Sequence, residues 1–315
     1  MTCRKKITRG PKYKRVKFII PLLILAVKKS LFFPLLFIFS LGLIAQEVEP
    51  LWPGIPPGDI VGEVGEEKVE VRGIKRVSNV TEPTITYFLS DLPKANGTTV
   101  LVCPGGAYNI LAIEHEGEDV CKWFNDFGVH AVLLKYRVPR RKNREPHAAP
   151  LQDAQRAMGL IRQAGKSWEV PLTKLGILGF SAGGNLAVMT AASFNDRTYP
   201  KIDSADDLSC RPDFAMPIYP AYLLDEQNKE RLAPHIQITK DCPPFFFVHT
   251  GDDGIPAEGS VLTFLALEKV GVVGNELHIY PFGGHGYGIR PSAKPVSQWP
   301  QRAQSWLGGL GFIQE

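Results

Sequence analysis

Residues 176–185 read GILGFSAGGN and place a single serine, Ser181, among four glycines. The apolar residues LGIL before this turn are typical of a buried strand, and the residues NLAVMTAA after it are typical of a helix. GFSAG fits the Gly-x-Ser-x-Gly pattern, in which a serine sits on a sharp strand-to-helix turn with its hydroxyl exposed at the carboxyl edge of a sheet. We therefore interpret Ser181 as a nucleophile. A glycine-rich loop that only packs tightly is the alternative, and the flanking strand and helix argue against it.

Gly179 and Gly183 have a steric role in this interpretation. A side chain at either position is expected to collide with the neighbouring helix or strand, because the chain reverses so sharply at the serine. A serine hydroxyl held in this way is still a weak nucleophile, and a base with an oriented partner must activate it. The rest of the chain should therefore supply a histidine and a carboxylate.

Strand-like and helix-like segments alternate along most of the chain after residue 98. Such alternation predicts an α/β fold with a largely parallel sheet and helices on both faces, because parallel strands need long crossover connections. Residues 46–59 contain four prolines and two glycines and predict irregular surface chain. The predicted strands are 74–80, 84–89, 98–103, 131–136, 175–178, 214–219, 245–250 and 276–280, and the predicted helices are 119–127, 151–164, 183–193, 259–270 and 298–307.

The base and the acid are expected after Ser181, because the order serine, acid, histidine is that of α/β-hydrolases. His285 lies in the glycine-flanked sequence GGHGYG after a strand, where it can reach toward the serine. Two aspartates follow the strand FFFVHT, Asp252 and Asp253. Counting from His249 at the strand end favours Asp253, and counting back from the next proline favours Asp252. We prefer Asp253, since the sheet fixes the register at the strand end.

Catalysis at a carbonyl also needs hydrogen-bond donors for the developing oxyanion. The sequence CPGGAY ends the predicted strand 98–103, where the backbone can face the nucleophile. We expect Gly106 and Ala107 to donate there, together with the N–H group of Ala182 directly after the serine. Pro104 has no N–H group and is excluded.

Four further residues are candidates for substrate contacts. The rings of Tyr108 and Tyr287 either stack on sugar rings or pack against neighbouring loops. His115 and Glu116 either brace the oxyanion loop from behind or are surface charges.

Residues 135–144 contain six positively charged side chains, although residues 46–315 as a whole carry a net negative charge. Because this segment follows a parallel strand, part of it is expected at the carboxyl edge of the sheet, beside Ser181. One hypothesis is that Arg140, Arg141 and Lys142 attract uronic-acid or sulfate groups of a polymeric substrate. A solvated basic loop is the alternative.

Charge and cysteine content exclude several functions. Residues 46–315 carry 26 basic and 32 acidic residues, a formal charge of −6, which argues against broad affinity for nucleic acid. The cysteines of this segment show no metal-type spacing, so we expect no metal and no cofactor. They are interpreted as four isolated thiols, with a bridge between Cys210 and Cys242 as the alternative.

The first 45 residues differ from the remainder. They hold ten basic and no acidic residues, and residues 31–45 form an apolar run of 15. This run is short for a membrane span and fits a secretory signal cleaved after Ala45, with a retained N-terminal anchor as the alternative. A true start at Val27 is a further hypothesis. We expect a secreted or periplasmic protein, bound to a membrane only if the leader is retained, with a single catalytic domain over 46–315.

The sequence resembles the α/β-hydrolase fold and, more narrowly, exported esterases of the acetyl xylan esterase and feruloyl-esterase-like type. The motifs that carry the resemblance are LWPG at 51–54, CPGGAY at 103–108, EHEG at 114–117, APLQDAQRA at 149–157, GILGFSAGG at 176–184, HTGDD at 249–253 and GGHGYG at 283–288. The usual family pattern has one more residue between the acid and the proline, which keeps Asp252 open.

The resemblance implies hydrolysis of carboxyl esters, most of all acetyl groups on plant or algal polysaccharide. A feruloyl esterase and a small peptidase of the same fold are the enzymatic alternatives. A catalytically silent module that binds carbohydrate is an alternative of another class. About twenty residues separate 219 from 243, too few for a large lid, so we expect little or no cap domain and an open cleft.

Overall fold

The computed structural model describes residues 47–314, and the leader predicted over residues 1–45, with the alternative start at Val27, lies outside these residues. The strands are β1 (Val48–Pro50), β2 (Lys68–Arg72), β3 (Ile74–Ser78), β4 (Thr84–Phe88), β5 (Thr98–Cys103), β6 (Ile110–Leu111), β7 (His130–Lys135), β8 (Lys174–Phe180), β9 (Ala215–Ile218), β10 (Phe246–Thr250) and β11 (Glu276–Tyr280). The α-helices are α1 (Asp119–Asp126), α2 (Ala148–Ala164), α3 (Ala182–Ala192), α4 (Glu258–Val270) and α5 (Trp299–Gly309).

Eight strands form the central sheet in the order β1-β4-β7-β5-β8-β9-β10-β11. The six strands from β7 to β11 in this order run parallel, and β4 pairs antiparallel with β7 on one side and with the edge strand β1 on the other. Apolar residues dominate β5, β8, β9 and β10, and these four strands are almost wholly buried, as expected for strands covered on both faces. The predicted α/β fold with a mostly parallel sheet is confirmed.

The helices cover both faces of this sheet. Helix α2 packs beside α3, and α1 packs beside α5, where the rings of Trp123 and Trp299 lie 5.6 Å apart. Helix α2 begins at Ala148, three residues before the predicted start, and Pro150 falls in its first turn. Proline is tolerated there, since the N–H group that it lacks has no partner within the helix.

Three strands differ from the prediction, namely β1, β2 and the two residues of β6. Residues 48–50, expected to be irregular, form β1 and pair antiparallel with β4 at the edge of the sheet. Residues 68–72 were not predicted as a strand, yet β2 pairs with β3 and, through it, with β6 in a small separate sheet. All five side chains of β2 are exposed, so no buried alternation marks it in the sequence.

The segment between β9 and β10 adds no cap. Within residues 219–244 there is no α-helix, and the only strand-type pairing that the structure describes there is an isolated bridge between Leu224 and Leu232. The prediction of little or no cap domain is confirmed. The carboxyl edge of the sheet is therefore left accessible around the turn that follows β8.

A buried ion cluster anchors the N-terminal segment to the sheet. Arg137 is buried and binds Asp153 at 3.0 Å and Asp59 at 2.8 Å. Asp153 also accepts a hydrogen bond of 2.8 Å from the indole of Trp52, so it ties helix α2 to the LWPG loop. Burial raises the pKa of Asp153, and the guanidinium of Arg137 opposes that rise. Asp153 therefore has a structural role.

The four cysteines of residues 47–314 bear on the alternative of a disulfide bridge. Cys103, Cys121, Cys210 and Cys242 are all free and buried, so the alternative of a bridge between Cys210 and Cys242 is wrong.

None of the helices between residues 47 and 314 is both long enough and apolar enough to span a membrane.

Candidate active site

Ser181 lies at the end of β8, directly before α3, in a strained backbone conformation. Its φ is 52° and its ψ is −115°, a region that costs a residue other than glycine about 1–3 kcal/mol. A Cβ atom on Gly179 would lie 1.9 Å from the carbonyl oxygen of Gly183. A Cβ atom on Gly183 would lie 2.1 Å from that of Cys103. The predicted steric need for both glycines is confirmed.

Three segments that are distant in sequence meet at this serine. The hydroxyl of Ser181 lies 2.9 Å from Nε2 of His285. The other ring nitrogen of His285, Nδ1, lies 2.8 and 3.0 Å from the two carboxylate oxygens of Asp253. With its proton on Nδ1, the imidazole donates to Asp253 and accepts from Ser181. This is the arrangement of a serine nucleophile, a general base and an orienting acid.

The structure separates the two adjacent aspartates. Asp253 has a fully buried side chain and faces His285. One oxygen of Asp252 instead accepts hydrogen bonds of 2.8 and 2.7 Å from the N–H groups of Gly283 and Gly284. Asp252 therefore anchors the loop that carries His285, and Asp253, the preferred candidate for the acid, contacts the ring itself.

The charged form of Asp253 is held by its surroundings. Burial alone would raise the pKa of Asp253, but hydrogen bonds from His249, His285 and the N–H group of Ile255 outweigh burial and keep that pKa well below its usual range. His249 is fully buried at the end of β10, and its Nε2 lies 3.4 Å from Asp253. The sequence analysis used His249 only to count register and missed this contact.

Backbone N–H groups that could bind an oxyanion lie on the loop after β5 and at the start of α3, two segments that meet next to Ser181. The N–H groups of Gly106, Ala107 and Ala182 donate to no acceptor among the described residues. Gly106, with φ 139°, and Ala107, with φ 55°, both have positive φ. The positive φ of Ala107 is strained for a residue other than glycine, and backbone donors without acceptors on such a loop are what an oxyanion hole requires.

The carboxylate of Glu116 links two loops of the site from beneath. Its Oε2 accepts a hydrogen bond of 2.8 Å from the N–H group of Gly105, next to the oxyanion donors. Its Oε1 accepts a bond of 2.7 Å from the hydroxyl of Tyr219, and that hydroxyl accepts a bond of 2.9 Å from the N–H group of Gly288, three residues after His285. One buried carboxylate thereby fixes the oxyanion loop and the histidine loop together.

The four residues proposed as substrate contacts are mostly buried. His115 and Glu116 lie in the interior, so the alternative of surface charges is wrong and bracing is the role that their contacts support. Burial and the nearby Arg290 lower the pKa of His115, which favours a neutral ring. Tyr108 is only 1% exposed and bonds through its hydroxyl to Asn185 at 2.7 Å, and the hydroxyl of Tyr287 is buried. For Tyr108 the structure favours packing over stacking on a sugar.

The basic stretch is largely neutralised inside the fold, which corrects the hypothesis that several of its residues meet the substrate. Arg141 is buried and binds Asp59 at 2.7 Å, and Lys135 binds Glu67 at 2.8 Å. Lys142 is exposed, and its backbone binds Glu63. Arg140 is the residue of this stretch that reaches the site, where it donates to the carbonyl oxygen of Ala107 at 3.2 Å.

A cleft of about 680 Å³ opens near the nucleophile, although neither Ser181 nor His285 is among the residues that line it. It is lined by Tyr108 from the oxyanion loop, by Asn185 one turn after Ser181 and by the segment that begins at Pro220. Tyr222, also in its wall, is 42% exposed and stacks on Tyr108 with ring centroids 6.0 Å apart. The sequence analysis did not identify Tyr222. In residues 47–314 no group of three or more His, Cys, Asp or Glu side chains is placed to hold a metal ion.

The fold and this geometry have counterparts among known proteins. Residues 88–211 match the BD-FAE protein family. The chain is 25% identical over 252 residues to the acetylxylan esterase of Xylanibacter ruminicola, which covers 72% of this chain and 48% of that protein. It is 29% identical over 205 residues to endo-1,4-beta-xylanase B of Butyrivibrio fibrisolvens, which covers 59% of this chain and 32% of that protein. The chain thus spans half or less of the length of these curated relatives.

Solved structures extend the likeness over nearly the whole of the matched molecule. The acetyl ester-xyloside bifunctional hydrolase of Caldicellulosiruptor lactoaceticus is 33% identical, with a TM-score of 0.70, and the match covers 86% of this chain and 99% of that one. Esterase 2 of Thermogutta terrifontis is 24% identical, with a TM-score of 0.61, and the match covers 79% of this chain and 96% of that one. At that identity the second likeness shows the fold alone.

The two aspartates provide a matched pair of substitutions. In Asp253→Asn the new amide faces Nδ1 of His285 and favours the wrong tautomer, so we expect kcat/KM for 4-nitrophenyl acetate to fall on the order of 10⁴-fold. In Asp252→Asn the remaining oxygen still accepts from Gly283 and Gly284, and we expect a loss of less than about tenfold. Equal losses in the two variants would contradict the assignment of Asp253.

The link through Tyr219 is tested by Tyr219→Phe, which removes a hydroxyl and leaves the ring. We expect kcat to fall about tenfold with little change in KM, because the oxyanion and histidine loops lose their common anchor while the cleft is unchanged. Tyr280→Phe is the matched control, since the hydroxyl of Tyr280 has no hydrogen-bond partner in the described part of the chain. If kcat in Tyr219→Phe matched that of the control, Tyr219 would have no positioning role.

Proposed function

Because this chain belongs to the α/β-hydrolase superfamily, we propose that it is a serine carboxylesterase that removes acetyl groups from polysaccharide. The observation that carries the proposal is the relay from Ser181 through His285 to Asp253, with contacts of 2.9 and 2.8 Å, set below backbone donors that have no other acceptor in residues 47–314. A binding module has no need of nucleophile, base, acid and oxyanion donors together, which argues against a catalytically silent function.

The proposed mechanism follows from the direction of these hydrogen bonds. Oγ of Ser181 attacks the ester carbonyl carbon while Nε2 of His285 takes the hydroxyl proton, and Asp253 stabilises the imidazolium that forms. The tetrahedral intermediate collapses as His285 returns the proton to the oxygen of the leaving sugar. The acetyl group stays on Ser181. A water molecule then gives a proton to His285 and attacks the acyl carbon, and acetate leaves as the hydroxyl of Ser181 is restored.

The oxyanion donors would supply much of the stabilisation in both steps. The N–H groups of Gly106, Ala107 and Ala182 are held before substrate arrives, so they need no reorganisation as negative charge develops on the carbonyl oxygen. Each such donor contributes about 2.7–4 kcal/mol in enzymes where one has been removed. The link from Glu116 to Gly105 supports this arrangement by fixing the residue next to the donors.

An acetylated polysaccharide is supported as the substrate by two kinds of observation. The relatives include a protein named acetylxylan esterase and a structure titled acetyl ester-xyloside bifunctional hydrolase. The segment 219–245 contains no helix that could form a lid in the described structure, which supports a polymeric substrate. A lipase that encloses a lipid chain is a poorer fit to this open edge.

The site of action is a further proposal. The basic and apolar pattern of residues 1–45 supports export to the periplasm or the medium, where polysaccharide is met. N-terminal sequencing of protein recovered from the medium or periplasm is expected to begin at Gln46. Recovery of the protein only from the cytoplasm, with residues 1–45 still attached, would contradict export.

The activity is tested on model and natural esters. We expect the wild type to hydrolyse 4-nitrophenyl acetate and to release acetate from acetylated xylan, and Ser181→Ala to lose at least about 10³-fold of this activity, because the nucleophile is gone. Ser193→Ala, at the other end of the same helix, is the matched control. Wild-type protein that folds but hydrolyses neither substrate would refute the proposal, and preferential release of ferulate would favour a feruloyl esterase.

A further inference from the structure

Arg140 differs from the other basic residues around it in its partners. Arg137 and Arg141 are buried against Asp153 and Asp59, whereas the exposed guanidinium of Arg140 has no carboxylate within 4 Å in the described structure. Its Nη2 donates to two neutral oxygens, the carbonyl of Ala107 at 3.2 Å and the hydroxyl of Tyr222 at 3.1 Å. Its Nη1 donates to no acceptor among residues 47–314. An uncompensated positive charge with free donors therefore remains at the rim of the cleft.

The position of this charge is fixed relative to the reacting atoms. Ala107 supplies one of the expected oxyanion donors, so the guanidinium is bound to the same loop that receives the ester carbonyl. The guanidinium lies over the ring of Tyr222, with its central carbon 5.4 Å from the ring centroid. Tyr222 has a φ of 56° and stacks on the buried Tyr108, whose hydroxyl is in turn tied to Asn185. Charge and ring are thus held together on the wall of the cleft.

We propose that Arg140 and Tyr222 form a subsite for an anionic sugar adjoining the sugar whose ester is cleaved. The inference rests on the proposed esterase function of the same site. The exposed part of the Tyr222 ring offers an apolar surface to a pyranose, and Nη1 of Arg140 offers charge-assisted hydrogen bonds to its carboxylate or sulfate group. A carboxylate and a sulfate are both anions with several acceptor oxygens, so either could bind Arg140. The experiment below distinguishes a uronic-acid carboxylate from a sulfate ester.

The other charged residues of the cleft argue against a general attraction of anions, so the proposed contact with Arg140 is local. Asp225, which also lines the cleft, is paired with Arg231 at 2.7 Å. Glu145 and Glu226 line it as well and are repulsive to a polyanion. Selection must therefore come from the placement of Arg140 next to the oxyanion loop, and a substrate gains only if its anionic group lies beside the scissile ester.

The experiment compares each acidic substrate with its own neutral form. Acetylated xylo-oligosaccharides that carry a uronic-acid branch are assayed before and after chemical reduction of the carboxyl group to an alcohol. A sulfated, acetylated oligosaccharide is assayed before and after desulfation. The measured quantity is the ratio of kcat/KM for the anionic form to that for the neutral form. In the wild type we expect this ratio to be about tenfold for at least one of the two pairs, and the pair that shows it identifies the anionic group.

Two substitutions at Arg140 separate charge from bracing. Arg140→Gln retains a donor for the carbonyl of Ala107 but removes the charge, so the ratio should fall to about 1. Arg140→Lys retains the charge and should keep most of the preference. Lys142→Gln, on the same loop with an exposed side chain, is the matched control and should leave the ratio unchanged.

The outcomes distinguish this inference from the proposed function. A wild-type ratio near 1 for both pairs, with normal hydrolysis of 4-nitrophenyl acetate, would overturn the anionic subsite and leave the esterase function intact. A preference that survives Arg140→Gln would overturn it as well. A wild type that hydrolyses no ester would refute the esterase function itself, and the inference with it.

Discussion

The approach of α3 to the end of β5 is the constraint on which the site depends. Gly183 lies so close to the carbonyl oxygen of Cys103 that a Cβ atom there would be 2.1 Å from it. Only this proximity brings the N–H group of Ala182, at the start of α3, to the same place as the loop that follows β5. The nucleophile and the oxyanion donors come from neighbouring parallel strands, β8 and β5, and the glycine sets the distance between them.

The sequence was most informative where one local pattern has one physical cause. The strand, the glycines and the helix around Ser181 belong to ten consecutive residues, and the buried strands β5, β8 and β10 each contain an apolar run, VLVC, LGILGF and FFV. Strands without such a cause were missed. The three residues of β1 lie in a proline-rich stretch, and β2 buries no face, so their pairing is decided by the chains beside them and not by their own side chains.

Polar partners across long sequence distances were harder to predict. The sequence gives no sign that Glu116 contacts Tyr219, 103 residues later, or that this hydroxyl also binds Gly288. Likewise, the charges at 135–144 read as one basic patch, although Arg137 and Arg141 point into the fold and meet Asp59, some 80 residues earlier. In an irregular segment the sequence does not indicate whether a charged side chain is buried or exposed. A buried charge pairs with another charge inside the fold, whereas an exposed one can attract a ligand.

Side-chain hydrogen bonds from several elements explain how the site holds strain. Ser181, Ala107 and Tyr108 all have positive φ without being glycine, at a cost of about 1–3 kcal/mol each. Such conformations persist where the surroundings fix them from several sides. Tyr108 is held through its hydroxyl by Asn185, the carbonyl of Ala107 by Arg140, and the adjoining Gly105 by Glu116. Because each of these bonds comes from a different part of the fold, the oxyanion loop can relax only if several parts move together.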